Sequence, residues 1–198
     1  MQRWNVIMLV FGLALLAGCG SKSETSKPSG QPSATGEPTA HKTFVLRSEA
    51  FRNGETIPAD FRHTDVGGKN QSPPLEWTDP PSGTRAFALV CIDPDAPDGE
   101  FVHWVLYNLP GELRKLERNL GRTPALPNGA RQGKNDFDEI GYDGPAPPPG
   151  KPHRYIFRLY ALDRPLDLPP QATRQQLEKA MQGHILAQTE LVGIYEHE

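Results

Sequence analysis

Sulfur and aromatic rings are scarce in this sequence. Two cysteines in 198 residues, with aromatics at 8%, exclude the disulfide-dense framework of small secreted scaffolds. No apolar run approaches the ~20 residues that a bilayer-spanning helix needs. Lys and Arg form no basic run and the formal net charge is −3. No nucleic-acid partner is expected, because phosphate backbones are held by grouped cations. Signatures of catalysis are missing as well: there is no Gly-x-Ser-x-Gly, no His-Glu-x-x-His and no Cys-x-x-Cys. After residue 40 the serines are Ser48, Ser72 and Ser82 alone. Gly129–Asn135 approaches a phosphate-binding loop but is one residue short between its glycines, with Asn in place of Ser or Thr. No hydrolytic activity and no cofactor are expected.

Punctuation is abundant instead. The chain holds 21 Pro and 19 Gly, too many for a coiled coil or helical bundle and suited to short strands joined by turns.

The N-terminus reads as an address. Arg3 is the only charge ahead of the apolar run Val6–Ala17, which is too short to span a bilayer and ends in small residues, as a secretory signal does. Leu16-Ala17-Gly18-Cys19 resembles the lipobox of bacterial lipoproteins, which implies lipidation of Cys19. Residues 20–40 contain no aromatic and no Leu, Ile, Val or Met. Such a segment cannot offset its ordering entropy by apolar burial and is expected to be disordered. It is a tether with a root-mean-square reach of about 25 Å. The division is therefore 1–19 signal and lipobox, 20–40 tether, and 41–198 folded domain. The expected location is extracytoplasmic, on the periplasmic or outer face of a bacterial membrane.

Within the domain, Ala86–Ile92 is a continuous apolar run of strand length, as expected of a strand covered on both faces. Val102–Leu109, Tyr155–Leu162 and Leu186–Tyr195 are further strands. Phe44–Arg47, Leu75–Trp77 and a segment near Phe61 are weaker candidates. Thr173-Arg174-Gln175-Gln176 fits a capping box ahead of Leu177, Ala180 and Met181, with Gly183 as the stop. A second short helix is expected over Leu113–Asn119, and loop over most of Leu126–His153. Cys91, inside the apolar run, is expected to be a buried small hydrophobe. The fold class is mainly β, antiparallel, with one or two short peripheral helices.

Polar residues gather where strands end. Asp93-Pro94-Asp95-Ala96-Pro97 closes the first strong strand, His103-Trp104 opens the next, and a Pro- and Gly-rich loop through Tyr142, Gly144, Ala146 and Pro147 delivers His153-Arg154-Tyr155 to the third. A carboxylate, two imidazoles and a phenol can meet at one rim. Two imidazoles and a phenol can donate hydrogen bonds to an oxyanion, and Asp93 can orient a ring by accepting its N–H. Asp93, His103 and His153 are also the ligand types of a facial-triad metal site, which spacing alone leaves open; no native metal is expected.

These motifs, with Ser72-Pro73-Pro74-Leu75, Trp77 and Asn108-Leu109-Pro110, resemble the phosphatidylethanolamine-binding proteins, also called Raf kinase inhibitor-like proteins. The tail Gly183-His184-Ile185-Leu186-Ala187 with Leu191-Val192-Gly193 resembles the bacterial branch. The resemblance covers about residues 43–195. It implies a large central antiparallel sheet, a smaller sheet and peripheral helices, around a pocket for phosphate or a phosphoryl head group. Carried over by motif, that pocket uses Asp93, His103, His153 and Tyr155, with Gly144, Ala146 and Pro147 as its loop wall and Tyr142 nearby. Many animal members have Gly where this chain has Ala146. The expected function is binding of a small phosphorylated or anionic ligand beside a membrane, without catalysis. The alternatives are an interaction protein that inhibits an extracytoplasmic kinase or protease through a protein partner, and a metal-dependent hydrolase.

Overall fold

The protein is described by a computed structural model over residues 43–197. The expected signal peptide with Cys19 and the expected tether lie outside the described residues. Two antiparallel sheets face each other. The larger has the order β6-β4-β3-β7-β8, made of Arg131–Gln132 (β6), Phe101–Pro110 (β4), Ala86–Asp93 (β3), His153–Leu162 (β7) and Ile185–Tyr195 (β8). The smaller is β1-β2-β5, made of Val45–Arg47 (β1), Leu75–Thr78 (β2) and Lys115–Leu116 (β5). The mainly β reading, with a large and a small antiparallel sheet, agrees with this architecture.

Every residue of β3 is buried, because both faces of this central strand are covered. Phe87, Leu89 and Cys91 point into a core shared with Trp77, Trp104, Phe157 and Leu116, between the sheets. Ala86, Ala88, Val90 and Ile92 point the other way, to Leu177 and Met181 of the helix Arg174–Met181 (α1). Small residues on that second face let α1 approach the sheet. Its N-cap is the expected capping box: the Thr173 side chain accepts from Gln176 N–H, and Gln176 accepts from Thr173 N–H. The chain leaves α1 through Gly183, whose φ of +79° suits a residue without Cβ.

Two expectations are corrected. Leu113–Asn119 is not a helix; it contains β5, which pairs with β2 through Leu75–Leu116 and Glu76–Lys115. A segment this short cannot offset helix nucleation, whereas the edge of β2 offers it ready backbone partners and a buried place for Leu116. The segment near Phe61 is a 3₁₀ turn, Ala59–Phe61, that drops the Phe61 ring into the core and is not a strand. Between Leu126 and His153 the chain is loop except for the two residues of β6.

Candidate functional site

The C-terminal end of β3 and the N-terminal ends of β4 and β7 lie at one edge of the large sheet, as antiparallel pairing requires. Ile92 opposes Ile156, so Asp93 and Tyr155 are neighbours, and side-chain alternation puts His153 on the face of Tyr155. His103 arrives there by an irregularity. Cys91 pairs with Trp104 but Ile92 pairs with Val102, which leaves His103 as an extra residue in β4. Strict alternation would have placed it with Val105 and Tyr107, under α1. The bulge re-aims it to the opposite face, a common use of bulges beside sites.

These residues enclose a cavity of about 290 Å³, lined by Asp93, His103, His153 and Tyr155 with Phe101 and Phe137, and walled by Ala96, Pro97, Ala146, Pro147 and Pro148. Asp98 and Glu100 stand in the lining, and no Lys or Arg does. Both rings are anchored through Nδ1. His153 Nδ1 meets Asp93 Oδ2 at 2.7 Å, and His103 Nδ1 meets the backbone oxygen of Asp143 at 2.8 Å. The other oxygen of Asp93 accepts from the Asp95 N–H at 2.9 Å, so the carboxylate is held on both sides. Edge-on contacts with Tyr155 and Phe137, ring centroids at 5.1 and 5.5 Å, fix the plane of His103. Burial lowers the proton affinity of His103 below the ordinary imidazole range, against the opposing pull of the Asp143 carbonyl and nearby carboxylates. The Tyr155 hydroxyl is buried, with the Asp93 carboxylate beside it as a hydrogen-bond acceptor. Burial first, then the Asp93 charge, push its ionisation far up, so it remains a neutral donor.

A buried carboxylate organises the loop behind His103. Asp143 accepts from Arg122 Nη1 and Nη2 at 2.9 and 2.7 Å, from Asn70 at 2.6 Å and from Asn135 at 2.8 Å. Burial alone would raise its pKa; these donors outweigh that and hold the carboxyl below its usual range. Asn70 also accepts from Gly144 N–H at 2.7 Å. A Cβ on Gly144 would lie 2.3 Å from the Phe61 oxygen, so no other residue fits there without moving the loop.

Asp93, His103, Ala146, Pro147, His153 and Tyr155 therefore meet around one cavity, and two expected site residues stand apart from it. Tyr142 lies in the core against Trp104 and Phe157, its hydroxyl donating to the Phe61 oxygen at 2.8 Å. It supports the loop from behind, which its apolar ring favours over a polar rim. Gly144 is outside the lining because it packs against residues 61–63. Sequence reasoning passed over Asp143, Asn70, Arg122, Asn135 and the ring pair Phe101–Phe137. Asp143 carried a weak signal, a carboxylate inside a Gly- and Pro-rich loop; Asn70, 73 positions away from it, carried none.

A profile of the family described as phosphatidylethanolamine-binding protein matches residues 47–196. The chain belongs to the phosphatidylethanolamine-binding protein family. It is 45% identical over 150 residues to a UPF0098 protein of Methanothermobacter thermautotrophicus, covering 76% of this chain and 97% of that one. It is also 45% identical over 122 residues to the UPF0098 protein YbhB of Escherichia coli, covering 60% and 77% respectively. Among solved structures, YbcL of Escherichia coli, described as a member of the mammalian family, superposes with a TM-score of 0.73 at 33% identity, covering 78% of this chain and 99% of that one. A homologue from Chlamydia trachomatis superposes with a TM-score of 0.70 at 38% identity, covering 78% and 98%. Among the described residues no three His, Cys, Asp or Glu side chains are grouped to hold a metal ion.

Proposed function

We propose that this family member is a lipid-anchored, extracytoplasmic protein of the bacterial Raf kinase inhibitor-like branch that binds a small phosphorylated or anionic ligand in the cavity at the β3–β4–β7 edge. One observation carries the reading. Two Nδ1-anchored imidazoles and a buried phenol beside the Asp93 carboxylate line one small cavity. With Nδ1 engaged, a ring that takes up a proton donates to an oxyanion from Nε2, and the Pro-stiffened wall keeps the rings' spacing without reorganisation. No side chain at the cavity stands out as a nucleophile: its lining has no Ser, Thr or Cys, and the thiol of Cys91 is buried in the core with its pKa pushed up by burial. Binding is the activity proposed, not turnover. The anchor rests on the lipobox-like Leu16-Ala17-Gly18-Cys19 and the tether that follows it.

Calorimetric titration of phosphoethanolamine and inorganic phosphate into the purified protein tests the reading, with the double variant His103→Ala, His153→Ala as control. Saturable binding that the folded double variant loses is the expected result. Equal binding by the variant, or none by the wild type, would place the ligand elsewhere.

A further inference from the structure

The cavity occupies one end of the large sheet, and the described chain begins at the other. Tyr195, at the C-terminal end of β8, pairs with His153 of the cavity. Ile185, at the start of β8, pairs with Leu162, which pairs in turn with Ala86. The two ends are about 30 Å apart, at ~3.3 Å per strand residue. The Phe44 ring lies 6.2 Å from that of Phe87, and Phe87 shares a row with Ala161 and Ala187, close to the Ile185 end. From there the chain runs along β8 toward the cavity. Leu46 N–H donates to Thr189 Oγ1 at 3.3 Å, Val192 N–H donates to Asn53 Oδ1 at 2.9 Å, and Thr56 bridges Ile194. The segment ahead of residue 43 is therefore joined to the domain at the end remote from the cavity.

That end also carries apolar side chains in the open. Among the described residues the exposed large hydrophobics are Ile185 and Leu186, 44% and 42% exposed. Adjacent strand residues ordinarily point to opposite faces. Here the register slips opposite Ala161 and Leu162, so Leu186 is an extra residue at the start of β8, and both side chains stay exposed. The turn before β3 stands beside them, since a Cβ on Gly83 would meet Leu186 Cδ1 at 4.0 Å. The charges around this end are of both signs, Arg85, Arg114 and Arg164 against Asp79, Glu112 and Asp163. The apolar pair distinguishes the face, not a field of one sign.

Given the proposed lipid anchor, on which this inference rests, we infer that the Ile185–Leu186 end is a bilayer-contacting face. Its two apolar side chains dip into the surface of the membrane that holds the chain, and the cavity faces away from that membrane. Two side chains bury too little area to hold a free protein on a bilayer. A tether makes the same contact intramolecular, at high effective concentration, so a weak contact suffices to set orientation. The expected reach of residues 20–40, about 25 Å, lets the joined end come down to the surface. The cavity, at the opposite end, then stays open to ligands from solution.

Fluorescence quenching in vesicles tests the orientation. The lipidated full chain is labelled at Ser82→Cys, an exposed position in the turn beside Leu186, or at Asp98→Cys, an exposed position at the cavity. Cys91 is buried and stays unlabelled. The protein is reconstituted into phosphatidylcholine vesicles whose lipids carry a shallow nitroxide quencher. Quenching at position 82 is expected to exceed that at position 98 about twofold or more, and the added pair Ile185→Glu, Leu186→Glu is expected to bring the two together. Equal quenching at 82 and 98 in the vesicle-bound protein without that pair would overturn the inference and leave the anchor in place. Disulfide-linked dimers through position 82, in place of quenching, would give the patch to a second copy of the chain and overturn it as well. Protein absent from the vesicle fraction would overturn the anchor and this inference with it.

Discussion

His103 and Asp143 illustrate how a single buried group sets both site chemistry and stability. The folded protein disfavours a proton on His103, while the unfolded chain accepts one near pH ~6.5. As pH falls below that value the unfolded state binds more protons, so stability declines until the lowered folded pKa is reached. Asp143 acts further down the scale. Its carboxyl is held below the usual range when folded, so its contribution is present above about pH 4 and is lost as pH falls through its folded pKa. Denaturant midpoints measured across pH should therefore start to fall near pH 6.5, and His103→Gln should flatten the upper part of that decline. Asp143→Ala removes the acceptor for Arg122, Asn70 and Asn135 together. A loss of about 2–4 kcal/mol in unfolding free energy is expected, within the range for breaking a buried charged network whose arginine is partly solvated. A loss below about 0.5 kcal/mol would show that water replaces the carboxylate freely.

At the scale of elements, β4 and α1 carry the argument. The irregularity at His103 turns one residue of β4 toward the cavity, and a second, between Phe87 and Leu89, occurs where Asn108 has a φ of +57°. The Asn108 amide accepts from Leu166 N–H and donates to its carbonyl at 2.7 and 2.9 Å, tying β4 to the segment before α1. Asn tolerates the left-handed conformation better than most residues. Asn108→Ala, which loses both bonds and keeps the strain, should cost more stability than Asn108→Gly, which loses only the bonds; thermal melts of the two variants order them. For α1, Thr173→Ala removes the cap at a cost of about 1 kcal/mol. Leu177→Ala, at a fully buried position against β3, should cost about 2–5 kcal/mol. Equal effects of the two would mean that α1 is held by its own cap rather than by packing.

For the whole molecule, the proposed function gives binding to the described domain and attachment to the segment ahead of it. The large sheet buries both faces of β3 and projects its polar strand ends at one edge, so the cavity sits on a rigid base while the loop through residues 143–148 forms its wall. That loop is pinned on one side by His63 N–H to the Pro145 oxygen at 3.0 Å and on the other by His197 to the Pro147 oxygen at 3.1 Å. No described helix is long and apolar enough to cross a membrane; under the proposed function the attachment is through Cys19. Cys19→Ser is expected to abolish incorporation of labelled fatty acid and to move the protein out of the membrane fraction, with phosphate affinity unchanged. Retention of the variant in washed membranes would place the attachment elsewhere.

Much of this was legible in the chain for local reasons. A run such as Ala86–Ile92 reads as a doubly covered strand because burial of both faces demands apolar residues at every position. The α1 cap is legible because Thr173 and Gln176 satisfy each other three residues apart. The motif residues Asp93, His103, His153 and Tyr155 were legible as a group because strand ends and turns bring such residues to a rim. What the linear chain left open depends on contacts between distant residues. The helix expected at Leu113–Asn119 gave way to β5 because the edge of β2 lies beside it in space. Tyr142 turned from ligand to core because Trp104 and Phe157 close around its ring. The anchors of the two imidazoles, a backbone oxygen 40 positions away and a carboxylate 60 positions away, are set by register and a bulge. These anchors fix which ring nitrogen carries the hydrogen, and so the polarity of the site.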